Sequence, residues 1–268
     1  MSTTIFKAKT QEGHTIKTLA ELLQHTVKTA CFVVDEDNIK LRMVDSHRRI
    51  LIDTQLGSVN FQVYRYEGES EKLYMGINLN HLHKMLKSIK KKDSIILFVD
   101  KQSPDDLGIQ VIPKENNRVT TSYIKIQNIQ HLDIELPDGY SRPIIVPSSE
   151  YQKMCKEMNN ISQIISVCAT EYSIKFSCDA GSVYKREVVF GEVDNDDEPQ
   201  TKYTEIFDTE QLARIIKVAG LGNSLQIFPK TDLPLLLKSP VGTLGTISIY
   251  IKNKQQIEED EFQQDEDS

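Results

Sequence analysis

The chain has 268 residues, of which 39% are hydrophobic and 26% charged, and its formal net charge is −7. This length and composition are typical of one large or two medium globular domains. They argue against a membrane protein, because no stretch approaches the roughly 18 to 20 consecutive apolar residues that a membrane span requires, and the first ten residues lack the apolar run of a signal peptide. We therefore expect an intracellular protein.

Periodicity predicts two helices in the first half of the chain. Apolar residues at helical spacing predict one helix from about Thr15 to Ala30 and a second from Leu79 to about Lys91. The face opposite each apolar stripe is basic. The basic residues on these outward faces are Lys17, Lys28, Lys84, Lys87 and Lys91.

The second half of the chain repeats this arrangement. A third helix is predicted from Ser148, an N-cap residue type, to about residue 160. A fourth is predicted from Asp208 to about Ala219, where Asp208 and Gln211 have the spacing of a capping box. The outward basic residues of these two helices are Lys153, Lys156, Arg214 and Lys217.

Short β-like runs separate the helices. Runs such as Ile50–Leu56 and Thr246–Ile251 are β-branched or alternating and are bounded by Gly, Pro, Asp or Asn. Each half therefore has the order helix, strands, helix, strands, which indicates duplication. The prediction is an α+β fold of two similar domains with antiparallel sheets.

The boundaries follow from composition. Residues 127–139 have no clean period and end in a Pro-Asp-Gly turn signal, so we interpret them as a linker between an N-terminal domain, residues 1–126, and a C-terminal domain, residues 140–257. Residues 258–268 carry seven acidic residues and no basic residue, which accounts for the whole charge of −7. We expect this tail to be disordered, because it has almost nothing apolar to bury.

The sequence has no persuasive catalytic pattern. The pair Gly242 and Gly245 lacks the lysine of a phosphate-binding loop. His81 and His83 would lie on different faces of a helix, which does not suit a metal ion. Asp45-Ser46-His47 are adjacent in sequence, which is not the spatial arrangement of a catalytic triad. We therefore expect no enzymatic activity, no catalytic residue, no metal and no cofactor.

Basic residues recur on the outward faces of all four helices, although residues 1–257 are neutral as a whole. One interpretation is ordinary solvated helix faces. The other is a positive surface shaped for phosphates, formed by helices that cover one side of a pair of sheets. Contacts between lysine and phosphate carry no sequence information, so such a surface would bind double-stranded DNA without sequence specificity and with strong salt dependence.

Two segments resemble a known family. Leu41–Ile52, LRMVDSHRRILI, resembles the L-x-x-M-D-x-S-x-V-x-L-V signature of the proliferating cell nuclear antigen family, the sliding clamps of eukaryotes and archaea. Met75–Lys87, MGINLNHLHKMLK, resembles the family's M-G-V-N-L-x-x-M-x-K-I-L-K run. Val146–Tyr151, Asp232–Leu235 and the acidic C-terminus extend the resemblance.

The resemblance implies a processivity fold and a function. In the processivity fold, two similar domains carry sheets outside and helices inside. Three subunits close head to tail into a ring around duplex DNA. By position, the strands at residues 118–126 and 183–189 would meet between subunits. The resemblance places in the channel Lys17, Lys84, Lys87, Lys153, Lys156 and Lys217. The helix faces add Lys28, Lys91 and Arg214 to this predicted channel set.

The family also implies a pocket for partner peptides that carry Gln and paired aromatic residues. Its residues here would be Val44, Arg48, Leu51, Ile134, Leu136, Tyr140, Pro234, Tyr250, Ile251 and Lys252. Arg48 and Lys252 depart from the eukaryotic pattern, so partner preference is expected to differ.

The implied partners are a DNA polymerase, a clamp loader, ligase and nuclease peptides in replication and repair, and other copies of the chain. Residence in the nucleus is the family default, and a viral replication site in the cytoplasm is the alternative. Other readings are a subunit of a heteromeric or checkpoint clamp, a viral processivity factor that forms no ring, and a protein scaffold without DNA binding.

Overall fold

The computed structural model describes residues 3–115, 118–131, 133–192 and 202–266. The chain divides into two compact units. Unit 1 comprises Met1–Met43, Ile52–Ile134 and Pro240–Ile247, and unit 2 comprises Val44–Leu51, Glu135–Ser239 and Ser248–Ser268. Among the described residues, no helix is long and apolar enough to cross a membrane.

The described residues of the first half form two α-helices, nine strands and a 3-10 turn at Ser58–Asn60. The helices are α1 (Gly13–Gln24) and α2 (Leu79–Leu86). The strands are β1 (Thr4–Thr10), β2 (Thr29–Val34), β3 (Asn38–Val44), β4 (Ile50–Gly57), β5 (Val63–Tyr66), β6 (Leu73–Asn78), β7 (Ser94–Asp100), β8 (Ser103–Ile112) and β9 (Thr120–Lys125). In unit 1 one antiparallel sheet has the order β5-β1-β7-β8-β9, and β3, β2 and β6 pair in that order.

In the second half, the part of the chain that the structure describes forms three α-helices and eight strands. The helices are α3 (Ser148–Asn159), α4 (Thr209–Arg214), which a 3-10 turn at Ile216–Gly220 follows, and α5 (Lys254–Glu266). The strands are β10 (Ile144–Pro147), β11 (Ile164–Ala169), β12 (Ser173–Asp179), β13 (Lys185–Gly191), β14 (Tyr203–Asp208), β15 (Ser224–Phe228), β16 (Leu235–Val241) and β17 (Gly245–Ile251). In unit 2 one antiparallel sheet has the order β13-β12-β11-β14, and β10, β15 and β16 pair in that order.

Each unit packs a pair of helical segments over its sheets. In unit 1, α1 contacts α2, and Leu22, Leu23 and Leu86 are completely or almost completely buried. In unit 2, α3 contacts α4 and the 3-10 turn, and Tyr151 and Met158 of α3 are buried. The predicted α+β class with antiparallel sheets and a duplicated order of elements is therefore confirmed.

The first two helices are shorter than their apolar stripes indicated. α1 ends at Gln24, where His25 and Thr26 donate backbone hydrogen bonds to Leu22 and Leu23 and turn the chain toward β2. The β-branched residues that follow suit the strand better than the helix. α2 begins at Leu79 and ends at Leu86, and the side chain of its N-cap residue, Asn78, accepts a hydrogen bond from His81 N at 3.1 Å. Lys28 and Lys91 therefore lie outside the helices that were predicted to carry them, and Lys87 is the C-cap residue of α2.

The other two predicted helices also differ in detail. Pro147, not Ser148, is the N-cap of α3, and the Ser148 hydroxyl is buried with no partner among the described residues. The capping box of Asp208 and Gln211 is confirmed. The predicted fourth helix is α4 followed by the 3-10 turn, because Ile215 has φ −97° and ψ 5° and interrupts the α-helix.

The prediction of a disordered tail is wrong up to residue 266, because these residues belong to α5. Asn253 and Gln256 form reciprocal side-chain to backbone hydrogen bonds of 2.8 and 3.1 Å at the start of α5. Ile257 is buried, Asp260 pairs with Lys252, and Glu261 Oε1 lies 3.2 Å from Arg49 Nη2. Arg49 and Lys252 thus neutralise two acidic residues of the segment that was predicted from its composition to be disordered. Asp267 and Ser268 lie outside the described residues.

Candidate DNA-binding and partner-binding surfaces

The predicted channel set in unit 1 includes Lys84 on α2 and Lys87, the C-cap residue of that helix. Lys84 and Lys87 are exposed, and neither side chain makes a hydrogen bond or an ion pair with any described residue. Two unpaired ammonium groups one turn apart on a helix raise the local positive potential. This face of α2 is therefore suited to an anionic ligand.

Lys17 has a structural role in unit 1. Its Nζ donates hydrogen bonds to the carbonyl oxygens of Lys87 at 2.8 Å and Ile89 at 3.1 Å. These carbonyls follow the C-terminal end of α2, where the helix dipole favours a positive charge. Lys17 thereby fixes α1 to α2, and its half-buried side chain is less available to a ligand than Lys84 or Lys87.

The two cations outside the helices have different positions. Lys28 is exposed between α1 and β2, and its carbonyl accepts a hydrogen bond from Leu79 N at 2.9 Å, which joins this turn to the start of α2. Lys91 is exposed in the turn between α2 and β7. Neither lysine therefore lies on the helix face on which it was predicted.

In unit 2, α3 carries the corresponding exposed lysines. Lys153 and Lys156 are exposed, and their side chains make no hydrogen bond or ion pair within the described part of the chain. The acidic residue Glu150 lies in the first turn and Lys156 in the last, so both charges complement the helix dipole. Lys217 is half-buried in the 3-10 turn after α4.

Arg214 is held by acidic groups of unit 2. Its Nη1 lies 3.3 Å from Asp45 Oδ2, and its Nε lies 3.5 Å from Glu210 Oε1. The Asp45 side chain is fully buried, and its Oδ1 also accepts hydrogen bonds from the backbone N–H groups of Arg49 at 2.7 Å and Ile50 at 2.9 Å. Arg214 thus anchors the turn at residues 45–49, a role that its place on a helix face did not predict. Asp45 is an anchor of that turn as well.

The core of the predicted pocket is an aromatic cluster in unit 2. The Tyr140 hydroxyl donates a hydrogen bond to the Pro234 carbonyl at 2.7 Å. The Tyr140 ring lies 6.1 Å from the Tyr250 ring and 6.3 Å from the Phe228 ring, measured between centroids. Burial, together with the neighbouring Tyr250, raises the pKa of Tyr140 well above its ordinary value, so the phenol is neutral and acts as a donor. Phe228, the last residue of the alternating strand β15, was not among the predicted pocket residues.

The remaining predicted pocket residues differ in accessibility. Ile251 is completely buried and Tyr250 is 5% exposed, so both support the pocket more than they line it. The half-buried members in unit 2 are Val44, Leu51, Leu136, Tyr140 and Pro234. Ile134 belongs to unit 1, where it is half-buried and its carbonyl oxygen accepts a hydrogen bond from Arg42 Nη1 at 2.6 Å.

The two basic residues that depart from the eukaryotic pattern lie on the turn at residues 45–49 and at the end of β17. Arg48 is exposed and has φ +55°, a left-handed conformation that closes the turn, and its N–H donates to the Asp45 carbonyl at 3.0 Å. Lys252 N donates to the Arg49 carbonyl at 3.0 Å, while its ammonium pairs with Asp260 of α5. Arg48 is therefore the more available cation of the two.

Within the described ranges, no group of three or more His, Cys, Asp or Glu side chains could hold a metal ion. His81 is exposed and His83 is half-buried on α2. Burial, assisted by the nearby Lys17 and Lys87, lowers the pKa of His83. Cys31, Cys155 and Cys178 are free and buried, and burial raises the pKa of each thiol.

Comparison with known proteins gives matches over nearly the whole chain. Residues 5–135 match the N-terminal domain and residues 135–254 match the C-terminal domain of the proliferating cell nuclear antigen family. The chain is 24% identical over 254 residues to a protein of Paramecium bursaria Chlorella virus 1 named probable DNA polymerase sliding clamp 1, covering 92% of this chain and 96% of that protein. It is 23% identical over 258 residues to the proliferating cell nuclear antigen of Chaetomium thermophilum, covering 93% and 98%.

Proposed function

This chain belongs to the proliferating cell nuclear antigen family and is a DNA sliding clamp, and we propose that three copies encircle duplex DNA and tether a polymerase to it. The clamp itself would perform no chemistry. Its contribution to replication would be to convert a polymerase that dissociates from DNA into one that stays bound, through a high effective concentration at the primer end.

The observation that carries the DNA-binding part is the set of unpaired lysines on α2 and α3. Cations on several strands are ion-paired, for example Arg42 with Asp53 and Lys125 with Asp106, each at 2.9 Å. The side chains of Lys84, Lys87, Lys153 and Lys156 form no such ion pair with a described residue. Their charge is available to phosphates, which suits weak, non-specific contacts that allow sliding.

Two edge strands support the proposed head-to-tail assembly. β9 ends the five-stranded sheet of unit 1, and β13 ends the four-stranded sheet of unit 2. Large apolar side chains near these edges are exposed, including Tyr123 at 58%, Val183 at 77% and Val189 at 45%. An exposed edge with apolar residues favours pairing with another strand. Pairing of β9 with β13 of the next copy would be a heterologous contact, which closes into a ring if the rotation per copy allows it.

The assembly is tested by native mass spectrometry and small-angle scattering at micromolar concentration. We expect a homotrimer with a central hole. A persistent monomer would contradict the ring. A trimer that forms only with a second clamp subunit would replace the homotrimer by a heteromeric clamp.

The DNA contact is tested by the double substitution Lys84→Glu with Lys87→Glu, assayed by primer extension on a long template with a polymerase and loader. We expect the assembly to remain intact and the stimulation of processivity to be lost, because four units of charge change on the α2 face. The matched control is Lys72→Glu with Lys101→Glu, two exposed lysines at turns of unit 1. Unchanged processivity of the α2 variant at moderate salt would contradict the contact.

We also propose that the aromatic cluster and its half-buried neighbours bind partner peptides with Gln and paired aromatic residues, as in polymerases, ligases, nucleases and the clamp loader. Leu136→Ala should weaken such a peptide by about 1 to 3 kcal/mol if Leu136 is a hot spot. Ile145→Ala, at a residue of unit 2 that is 62% exposed, is the control. Equal affinities of the two variants in calorimetry would place the peptide elsewhere. By family, the site of action is the nucleus, or a viral replication site if the chain is viral.

A further inference from the structure

Unit 1 contains a second basic feature, which lies beyond the end of α2. Two adjoining clefts share a wall formed by Lys91, Lys92, Pro113 and Lys114. Lys9 of β1 lines the first cleft, and Lys90 and Arg118 line the second. We call the clefts together the basic groove, defined by Lys9, Lys90, Lys91, Lys92, Lys114 and Arg118.

The charge of the basic groove is not neutralised by its own acidic residues. Only Asp93 and Glu115 are acidic among its described lining residues. Asp93 is buried, and its Oδ2 accepts a hydrogen bond from the backbone N–H of Lys90 at 2.9 Å, so its carboxylate turns into the chain instead of toward the lysine side chains. None of the six groove cations makes a side-chain hydrogen bond or an ion pair with a described residue.

The turn that presents three of these cations is held in place. Asp93 N donates to the Lys90 carbonyl at 3.1 Å, and Ile89, next to the turn, is buried. Gly13 at the start of α1 packs so closely that a Cβ atom there would lie 2.7 Å from the Asp93 carbonyl oxygen. Lys90, Lys91 and Lys92 are therefore displayed on a fixed backbone. The positive charges of these three consecutive lysines repel one another, so a bound polyanion would stabilise them.

The position of the groove favours nucleic acid over an acidic protein as that polyanion. The unpaired cations continue along the chain from Lys84 and Lys87 on α2 to Lys90, Lys91 and Lys92 without an intervening acidic residue. Phosphates recur along a nucleic-acid backbone, so one strand can contact several of these successive lysines.

We propose that the basic groove is a second binding site for a phosphodiester backbone, outside the helix faces and continuous with them. This inference rests on the proposed function, because it extends the path of DNA that the α2 lysines begin. The bound backbone belongs either to the duplex or to the single-stranded template beside a primer end. In both cases the groove lysines contact phosphates and read no sequence.

The test compares the groove variant Lys92→Glu with Lys114→Glu against the control Lys72→Glu with Lys101→Glu. Both carry the same charge change, and Lys101 follows the far end of β7, about 20 Å along the strand from the groove. Binding of the full-length protein to a fluorescent duplex, a single strand and a primer–template junction is measured by anisotropy between about 50 and 200 mM salt. The oligomeric state of each variant is measured in parallel by light scattering.

We expect the groove variant to bind DNA about tenfold or more weakly at the lowest salt, and the slope of log affinity against log salt to fall by about 1.4 for a single strand or 1.8 for a duplex, which corresponds to two lost phosphate contacts. The control should match the wild type. A loss confined to the single strand and the junction assigns the groove to the template strand, and an equal loss on the duplex assigns it to the double helix.

Three results would overturn the inference. If only the α2 variant Lys84→Glu with Lys87→Glu loses DNA, the proposed function stands and the groove is not part of the path. Equal losses in the groove variant and the control would show a bulk charge effect. Dissociation of the assembly by the groove variant would make the groove an interface between copies. If the wild type binds none of the three DNAs at low salt, the proposed function itself fails.

Discussion

The substitution Arg214→Gln separates two roles for a residue that was predicted from its helix face to contact DNA. In the structure Arg214 lies between Asp45 and Glu210, and Asp45 holds the turn at residues 45–49 through two further hydrogen bonds. We expect Arg214→Gln to lower the free energy of unfolding and to leave the salt dependence of DNA binding unchanged.

The magnitude follows from the exposure of the two partners. The Arg214 side chain is 32% exposed, whereas the Asp45 side chain is 0% exposed. Loss of one partner of a fully buried ion pair costs about 3 to 5 kcal/mol, and loss of an exposed pair costs about 0.2 to 1 kcal/mol. Asp45 retains its two backbone donors, so the change removes one hydrogen bond to a charged group, for which about 1.5 to 3 kcal/mol is typical. We expect about 2 kcal/mol.

The assay is urea unfolding, combined with anisotropy measurements of DNA binding. Lys153→Gln, which removes an exposed unpaired cation from α3, is the matched control and should show the opposite pattern. A double-mutant cycle with Asp45→Asn should give a coupling energy above about 0.5 kcal/mol, because the two residues are in contact. The reasoning is refuted if Arg214→Gln changes the salt slope as Lys153→Gln does while stability stays within about 0.5 kcal/mol.

Three further substitutions test unit 1. Leu82→Ala should lower the free energy of unfolding by about 3 kcal/mol, because Leu82 is buried and lines an existing apolar cavity of about 50 Å³. Met85→Ala, on the exposed side of α2, is the control and should lower it by less than about 1 kcal/mol. Comparable losses of stability in urea unfolding would contradict this packing of α2. Gly76→Ala should lower the free energy of unfolding by about 1 to 3 kcal/mol, because a Cβ atom would lie 2.2 Å from the Gln127 carbonyl oxygen. It should also speed proteolysis within residues 127–139. An unchanged cleavage rate would show that the linker is not held at Gly76. The lowered pKa of His83 means that the unfolded state binds more protons just below pH 6.5, so the free energy of unfolding should decrease as the pH falls through that value. This decrease should be smaller in His83→Gln and unchanged in the exposed His47→Gln, and equal pH profiles in all three proteins would argue against it.

The sequence was sufficient to predict the class of the fold, because hydrophobic periodicity records which face of each element is buried. The apolar stripe residues within α1 and α3 are buried as predicted, as are Leu82 and Leu86 of α2, whereas Met85 was predicted to face inward and is 37% exposed. The capping box at Asp208 marks the start of α4. The helix ends were less predictable. An apolar residue such as Val27 fits the stripe of a helix and the approach to a strand equally well, and periodicity alone does not distinguish the two.

The roles of individual cations depend on contacts between residues that are distant in sequence. Lys17 donates hydrogen bonds to the carbonyl oxygens of Lys87 and Ile89, which are 70 and 72 positions away in sequence. Arg214 pairs with Asp45, which is 169 positions away. A helical wheel shows only that both are opposite the apolar stripe. Likewise, the acidic composition after Glu258 does not show that Arg49 and Lys252 lie close enough to stabilise α5. Such partners become visible only when the chain is folded.

The pairing of cations on strands, and the lack of it on α2, has a practical consequence for purification. A protein with a formal charge of −7 is expected to adsorb to an anion exchanger at neutral pH. The run from Lys84 to Lys92 contains five lysines and no acidic residue, so the same molecule should also be retained on heparin or phosphocellulose. Retention on the anion exchanger would depend on the acidic residues, and retention on heparin or phosphocellulose would depend on this lysine run. Chromatography on both in sequence should therefore separate the folded protein from acidic contaminants that bind only the first.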